Sequence, residues 1–229
     1  MCAGLTALGE VCLGHDDDFY AAVLCPAFGG AVGGNRLGAA ESAAKRRTNA
    51  VLSAVPKVLE KYPIPQEMIF SNVNKGSGLF KQHIMTALIN AGYTNELYGE
   101  IFHELFGKNG IAKASYSLPD VFDALKLIKK SGAVCVLAHP NVYNSYEIIP
   151  ELIACGLDGI EVNYPRAKAS DLEVLGEFCR RHDLIMTGGT DFHGRNTDKP
   201  LKLGTSTATD EQVIKLKAQS AKLKVESGK

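Results

Sequence analysis

The chain has no excess of either charge: Lys plus Arg and Asp plus Glu are both 25 in 229 residues, so the net charge is zero. That argues against a general nucleic-acid or anionic-membrane binder while leaving room for a local basic pocket. No apolar run approaches the ~18 residues a membrane helix needs. The N-terminus lacks a charged region followed by an apolar one, so no secretory leader is expected. The six cysteines, at positions 2, 12, 25, 135, 155 and 179, form no C-x-x-C pair. Cys135, Cys155 and Cys179 fall in apolar strand or helix patterns, where buried free thiols are common. A reduced, cytoplasmic protein is expected.

Residues 1–40 lack a sustained hydrophobic period. They are rich in Gly and Ala and include the run Gly29 to Gly38, which has no Gly-Lys-Ser/Thr ending and no clear preceding strand, so it reads as a loop rather than a phosphate cradle. His15-Asp16-Asp17-Asp18 reads as a solvated turn. Residues 41–115 read as helices: one over Ala40 to Lys61, with Pro56 expected to kink or divide it, and others over Leu79 to Asn90 and Leu97 to Phe106. From residue 116 the pattern becomes strict alternation. A capping box, Ser117-Leu118-Pro119-Asp120, precedes a helix with Val121, Leu125 and Ile128 on one face. Strands are expected at 133–138, 159–163 and 184–187, with helices from Tyr146, Ser170 and about residue 210, and a short strand at 201–204. Strands alternating with helices at this spacing mean βαβ units and a parallel sheet or barrel.

His139, Asn163 and the pair Asp191 and His193 each fall at or just beyond the C-terminal end of a successive strand. In α/β barrels that face carries the active site. His139 precedes Pro140, which should hold it extended at the strand tip, a suitable setting for a rigid metal ligand. If the chain is extended at Asp191 and His193, a side-chain period of two points both groups to one side, as a metal site needs. The competing reading is a helix-capping Asp beside a His that hydrogen-bonds a carbonyl.

Val136-Leu137-Ala138-His139-Pro140, Gly156-Leu157-Asp158-Gly159-Ile160-Glu161-Val162 and Gly188-Gly189-Thr190-Asp191-Phe192-His193-Gly194 resemble the later motifs of the PHP (polymerase and histidinol phosphatase) superfamily of metal-dependent phosphoesterases. Lys81-Gln82-His83-Ile84 resembles the Arg-x-His-Ile segment of the helical insertion in its small stand-alone members. The resemblance covers about residues 45–205. It implies an α/β fold, an incomplete or distorted (β/α)7-type barrel with an all-helical insertion, divided as 1–40, 41–115 and 116–229. It implies metal ligands at His83, His139, Asp191 and His193 for a cluster of Mn, Fe, Zn or Mg. It also implies Lys81 and Asn163 on the substrate, with Lys81 standing where relatives have a phosphate-holding arginine; lysine keeps the charge and loses the bidentate fork.

The activity implied is hydrolysis of a small phosphorylated metabolite or nucleotide by metal-activated water. The family's His-x-His strand is absent from the chain, which keeps open a second expectation, a non-catalytic remnant that binds metal or a partner. Exposed edges left by missing strands would favour association of copies. A third reading, an unrelated α/β-barrel metal amidohydrolase, fits the Asp-x-His doublet poorly.

Overall fold

The computed structural model describes residues 8–13, 21–26, 38–73, 78–117, 119–130, 132–142, 144–192 and 201–227, with side chains from residue 45 to 223. The chain divides into two compact units, a mixed α/β unit and a helical unit centred on Ala40–Ser117.

The α/β unit is built on one five-stranded sheet in the order β1-β2-β3-β4-β5. Its strands are β1 (Leu8–Leu13), β2 (Ala21–Pro26), β3 (Val136–Leu137), β4 (Gly159–Asn163) and β5 (Ile185–Gly188). β1, β2 and β3 pair antiparallel, while β3, β4 and β5 run parallel. The parallel half follows from its connections, since parallel neighbours need a crossover and each is supplied by a helix. Between β3 and β4 lies α6 (Ile149–Ala154), and between β4 and β5 lies α7 (Ala169–Arg181). α5 (Val121–Lys130) leads into β3, and α8 (Asp210–Ser227) closes the chain.

Alternation along the strands assigns their faces. Leu137, Ile160 and Val162 are buried with Leu125 and Ile128 of α5, Leu152 of α6 and Leu175 of α7. Val134, Val136 and Ile185 form a smaller core on the opposite face with Leu216 and Leu223 of α8. Asp158, just before β4, binds Lys129 Nζ at 2.7 Å, the Cys135 amide at 2.8 Å and Gln219 Nε2 at 3.2 Å. A nearly buried carboxylate this fully paired fixes the N-terminal edge of the parallel strands.

The helical unit contains α1 (Gly38–Lys61), α2 (Glu67–Phe70), α3 (Lys81–Asn90) and α4 (Glu100–Phe106) around Val58, Ile69, Ile84, Leu88 and Leu105. Pro56 lies inside α1 without dividing it. Two further expectations are corrected. Residues 201–204 are not a strand, and the chain enters a turn at 203–204. The cap of α5 is Asp120 alone, whose Oδ1 accepts from the Phe122 and Asp123 amides at 2.9 and 3.2 Å, not a box begun at Ser117. The N-terminal strands β1 and β2 went unforeseen. The loop expected over the glycine-rich run, apart from its last residue, and the turn expected at 15–18 lie outside the described residues. Among the described residues no helix is long and apolar enough to cross a membrane.

Candidate metal centre

At the C-terminal ends of the parallel strands, register puts Leu137 beside Ile160 and Ile160 beside Met186. His139 lies two residues beyond the first of these and Asp191 five beyond the last. Both backbones are strained: φ is 27° at His139 and 51° at Asp191. Non-glycine residues in this region cost about 1–3 kcal/mol each and persist where their surroundings over-determine them.

The expectation that Pro140 would keep His139 extended is therefore corrected. The His139 amide instead donates to Glu161 Oε2 at 3.0 Å, which turns the chain out of the strand. The chain is not extended at Asp191 either, so the period-two argument for Asp191 and His193 does not apply. His193 lies outside the described residues.

Glu161 is the residue that sequence reasoning missed. It is only 8% exposed, in a strand otherwise buried as Gly, Ile and Val. A carboxylate within so apolar a strand was the available signal, because unpaired buried carboxylates are rare. Its face is shared with Thr187, its register partner, whose buried hydroxyl has no hydrogen-bond partner among the described residues. A Cβ at Gly189 would sit 3.4 Å from Glu161 Oε1, and one at Gly188 would meet the Asn163 and Thr207 carbonyl oxygens at 2.7 and 2.8 Å. Glycine at 188 thus permits the close approach. A register shift between Glu161 and Asn163 marks a bulge, a common device beside functional sites. Asn163 is exposed, and its Nδ2 donates to the Thr207 carbonyl at 3.0 Å.

In the helical unit Lys81 and His83 occupy the first turn of α3. The Phe80 amide donates to His83 Nδ1 at 3.0 Å. Burial lowers the His83 pKa, favouring the neutral ring. With Nδ1 accepting, that ring carries its proton on Nε2 and is set up to donate there, whereas a ligand bound through Nε2 would need the proton on Nδ1. Burial, then the positive charge of Lys113, lowers the Lys81 pKa. Lys113 is a second cation that the sequence reading did not single out.

The donor types on the strand rim, an imidazole with carboxylate and hydroxyl oxygens, suit a divalent cation. The number falls short: no group of three or more His, Cys, Asp and Glu that could hold a metal occurs among the described residues.

No family model matches the chain. It is 32% identical over 151 residues to the phosphoribosyl 1,2-cyclic phosphate 1,2-diphosphodiesterase of Eggerthella lenta, covering 66% of this chain and 58% of that protein. It is 26% identical over 155 residues to a 5'-3' exoribonuclease of Escherichia coli, covering 64% and 52% of the two chains. The chain thus spans little more than half the length of the curated relatives it matches. Among solved structures, a Bifidobacterium adolescentis protein assigned as a metal-dependent phosphoesterase superposes with a TM-score of 0.77 at 24% identity, covering 92% of this chain and 74% of that one. An amidohydrolase from Chromobacterium violaceum, solved with sulfate and no metal, gives 0.67 at 19%, covering 92% and 75%. These two likenesses concern the fold. The chain is thus similar in sequence to a phosphodiesterase and to exoribonucleases, and similar in fold to a metal-dependent phosphoesterase.

Proposed function

We propose that this protein is a metal-dependent phosphoesterase acting on a small phosphorylated metabolite or nucleotide. The supporting observation is the pair of strained residues, His139 and Asp191, at the ends of parallel strands in a chain 32% identical to a phosphodiesterase. In this reading the α/β unit is the surviving part of a distorted (β/α)7-type barrel, residues 41–115 are its helical insertion, and 1–40 and 116–229 flank it. The reading places the protein in the cytoplasm and allows association of copies.

His139, Asp191 and His193 would hold the divalent metal, with Glu161 fixing the backbone of His139. A bound Mn, Fe, Zn or Mg ion would supply Lewis acidity and neutralise charge building on the phosphoryl oxygens. Lys81, as a point charge, and Asn163 would contact the substrate. His83, expected from the resemblance to be a ligand, accepts the Phe80 amide on Nδ1, which favours a proton on Nε2.

The test is metal content of the purified chain by mass spectrometry beside a His139→Ala control, with phosphate release assayed on a nucleoside monophosphate and a cyclic phosphodiester after manganese addition. Metal lost in the control together with chelator-sensitive release supports the reading. The shortage of ligands among the described residues favours a second reading, a non-catalytic metal-binding remnant, which predicts metal without turnover.

A further inference from the structure

The turn that follows His139 is tied into a polar network centred on a residue outside the proposed ligand set. Asp171 lies in the first turn of α7, where its Oδ2 accepts from the Lys168 amide at 2.9 Å, an ordinary helix-capping contact. The same oxygen accepts from Asn141 Nδ2 at 2.7 Å, and Oδ1 accepts from the Tyr146 hydroxyl at 2.6 Å. Asn141 Oδ1 in turn accepts from the Tyr164 hydroxyl. The Tyr164 ring is buried and stands against the His139 imidazole, with centroids 6.0 Å apart. One carboxylate thereby joins three points: the turn after β3, the residue after β4 and the start of α7.

Capping alone does not need this arrangement. The Lys168 contact satisfies one helix amide and uses a single oxygen, while the other two bonds reach back 25 and 30 residues to the His139 turn. The need for support is visible at His139, whose φ of 27° must be held by its neighbours. Glu161 fixes its amide from one side, and the Asn141 and Tyr164 branch bounds the turn and the ring from the other. Asn141 and Tyr146 lie in the connection after β3 and Tyr164 just after β4, and the side-chain bonds of the Asp171 network join these two segments to α7.

We propose that Asp171 is a positioning residue for His139, acting through Asn141, Tyr146 and Tyr164 to hold the turn in which the imidazole is presented. The inference rests on the reading of His139 as a metal ligand, and it adds a long-range support from α7. Outer partners of this kind typically change metal affinity by 10–100-fold when removed. Asp171→Ala should therefore weaken manganese binding about 10-fold. Asp171→Asn, which keeps an oxygen for Asn141 and an amide for the Tyr146 oxygen, should recover most of that loss. Tyr164→Phe cuts the branch to the ring without touching the α7 cap and should weaken binding in the same direction.

The experiment is manganese titration calorimetry on the full chain and these three variants, at a temperature where circular dichroism shows each folded, with hydrogen exchange of the His139 amide followed without metal. The expected result is weakened binding in Asp171→Ala and Tyr164→Phe, recovery in Asp171→Asn, and faster His139 exchange in the first two. A lower melting temperature for Asp171→Ala with unchanged affinity and unchanged His139 exchange would reduce Asp171 to a helix cap and overturn the proposal. If the unmodified chain binds no manganese, the metal reading fails. The exchange data then decide the positioning claim alone, faster exchange supporting it and unchanged exchange rejecting it.

Discussion

Replacing Glu161 by alanine tests the geometry of the rim without any metal present. The side chain is 8% exposed and its Oε2 takes the His139 amide at 3.0 Å. Leaving that amide without its acceptor costs about 1–3 kcal/mol, toward the upper end where the lost acceptor is charged. Two terms oppose it: removal of a buried carboxylate relieves desolvation, and His139 can relax out of a backbone conformation that costs about 1–3 kcal/mol. Local relaxation would recover part of the loss for the chain as a whole but none of the protection of the amide itself. We therefore expect a global loss of about 1 kcal/mol in urea unfolding. Exchange of the His139 amide should accelerate by roughly fivefold to a hundredfold, since each 1.4 kcal/mol is a factor of ten. Glu161→Gln keeps an oxygen acceptor and should show less than half the effect on exchange. Measurements in chelator exclude any contribution from bound metal. Wild-type exchange at His139 in the alanine variant would refute the claim that Glu161 holds this turn.

Other perturbations have equally definite outcomes. Gly188→Ala puts a Cβ within 2.7 and 2.8 Å of two carbonyl oxygens, so it should cost about 1–3 kcal/mol as an overpacked site, read as a lower urea midpoint with an unchanged slope. Hydrogen bonds, from Tyr146 first, lower the Asp171 pKa below its ordinary 3.8. A depressed carboxyl stabilises the fold fully above its unfolded pKa and loses that contribution as pH falls through the folded value. Stability should therefore fall as pH is taken below the ordinary carboxylate value of 3.8, and Asp171→Asn should flatten that dependence in a urea-midpoint series. Burial raises the Cys179 thiol pKa to about 11, and Cys135 is also buried whereas Cys155 is exposed. Iodoacetamide at about pH 8 followed by peptide mapping should label Cys155 and spare the other two until the chain is unfolded.

The half of the chain from residue 116 onward was largely legible because its signals are local. Leu125 and Ile128 repeat at helical spacing, Gly132 and Gly156 stop helices at positive φ, and the apolar runs at 136 and 160 are short enough to be buried strands. β1 and β2 were not legible. Their pairing is set by partners elsewhere in the sheet, and a Gly- and Ala-rich segment offers no period of its own. Residues 201–204 failed because a short apolar pattern alone does not separate a strand from a stretch that leads into a turn. At the rim, His139 and Asp191 were found from their positions past strand ends. The backbone conformation of His139 was misjudged because a tertiary contact, Glu161 to the His139 amide, overrides the preference imposed by Pro140. Glu161 itself was hidden inside a strand-like word. The surroundings of His83 and Lys81 depend on which atom faces which neighbour, and no spacing rule encodes that.

In the function proposed above, His139 and Asp191 hold a divalent metal that serves phosphoester hydrolysis. The most direct measurement is metal stoichiometry of the full chain after manganese loading and desalting, compared with Asp191→Ala and paired with phosphate release from a nucleoside monophosphate. About one or more metals per chain, lost in Asp191→Ala, are expected, with release abolished by chelator. A wild-type chain that retains no metal, or an Asp191→Ala chain that retains as much as wild type, would contradict that proposal.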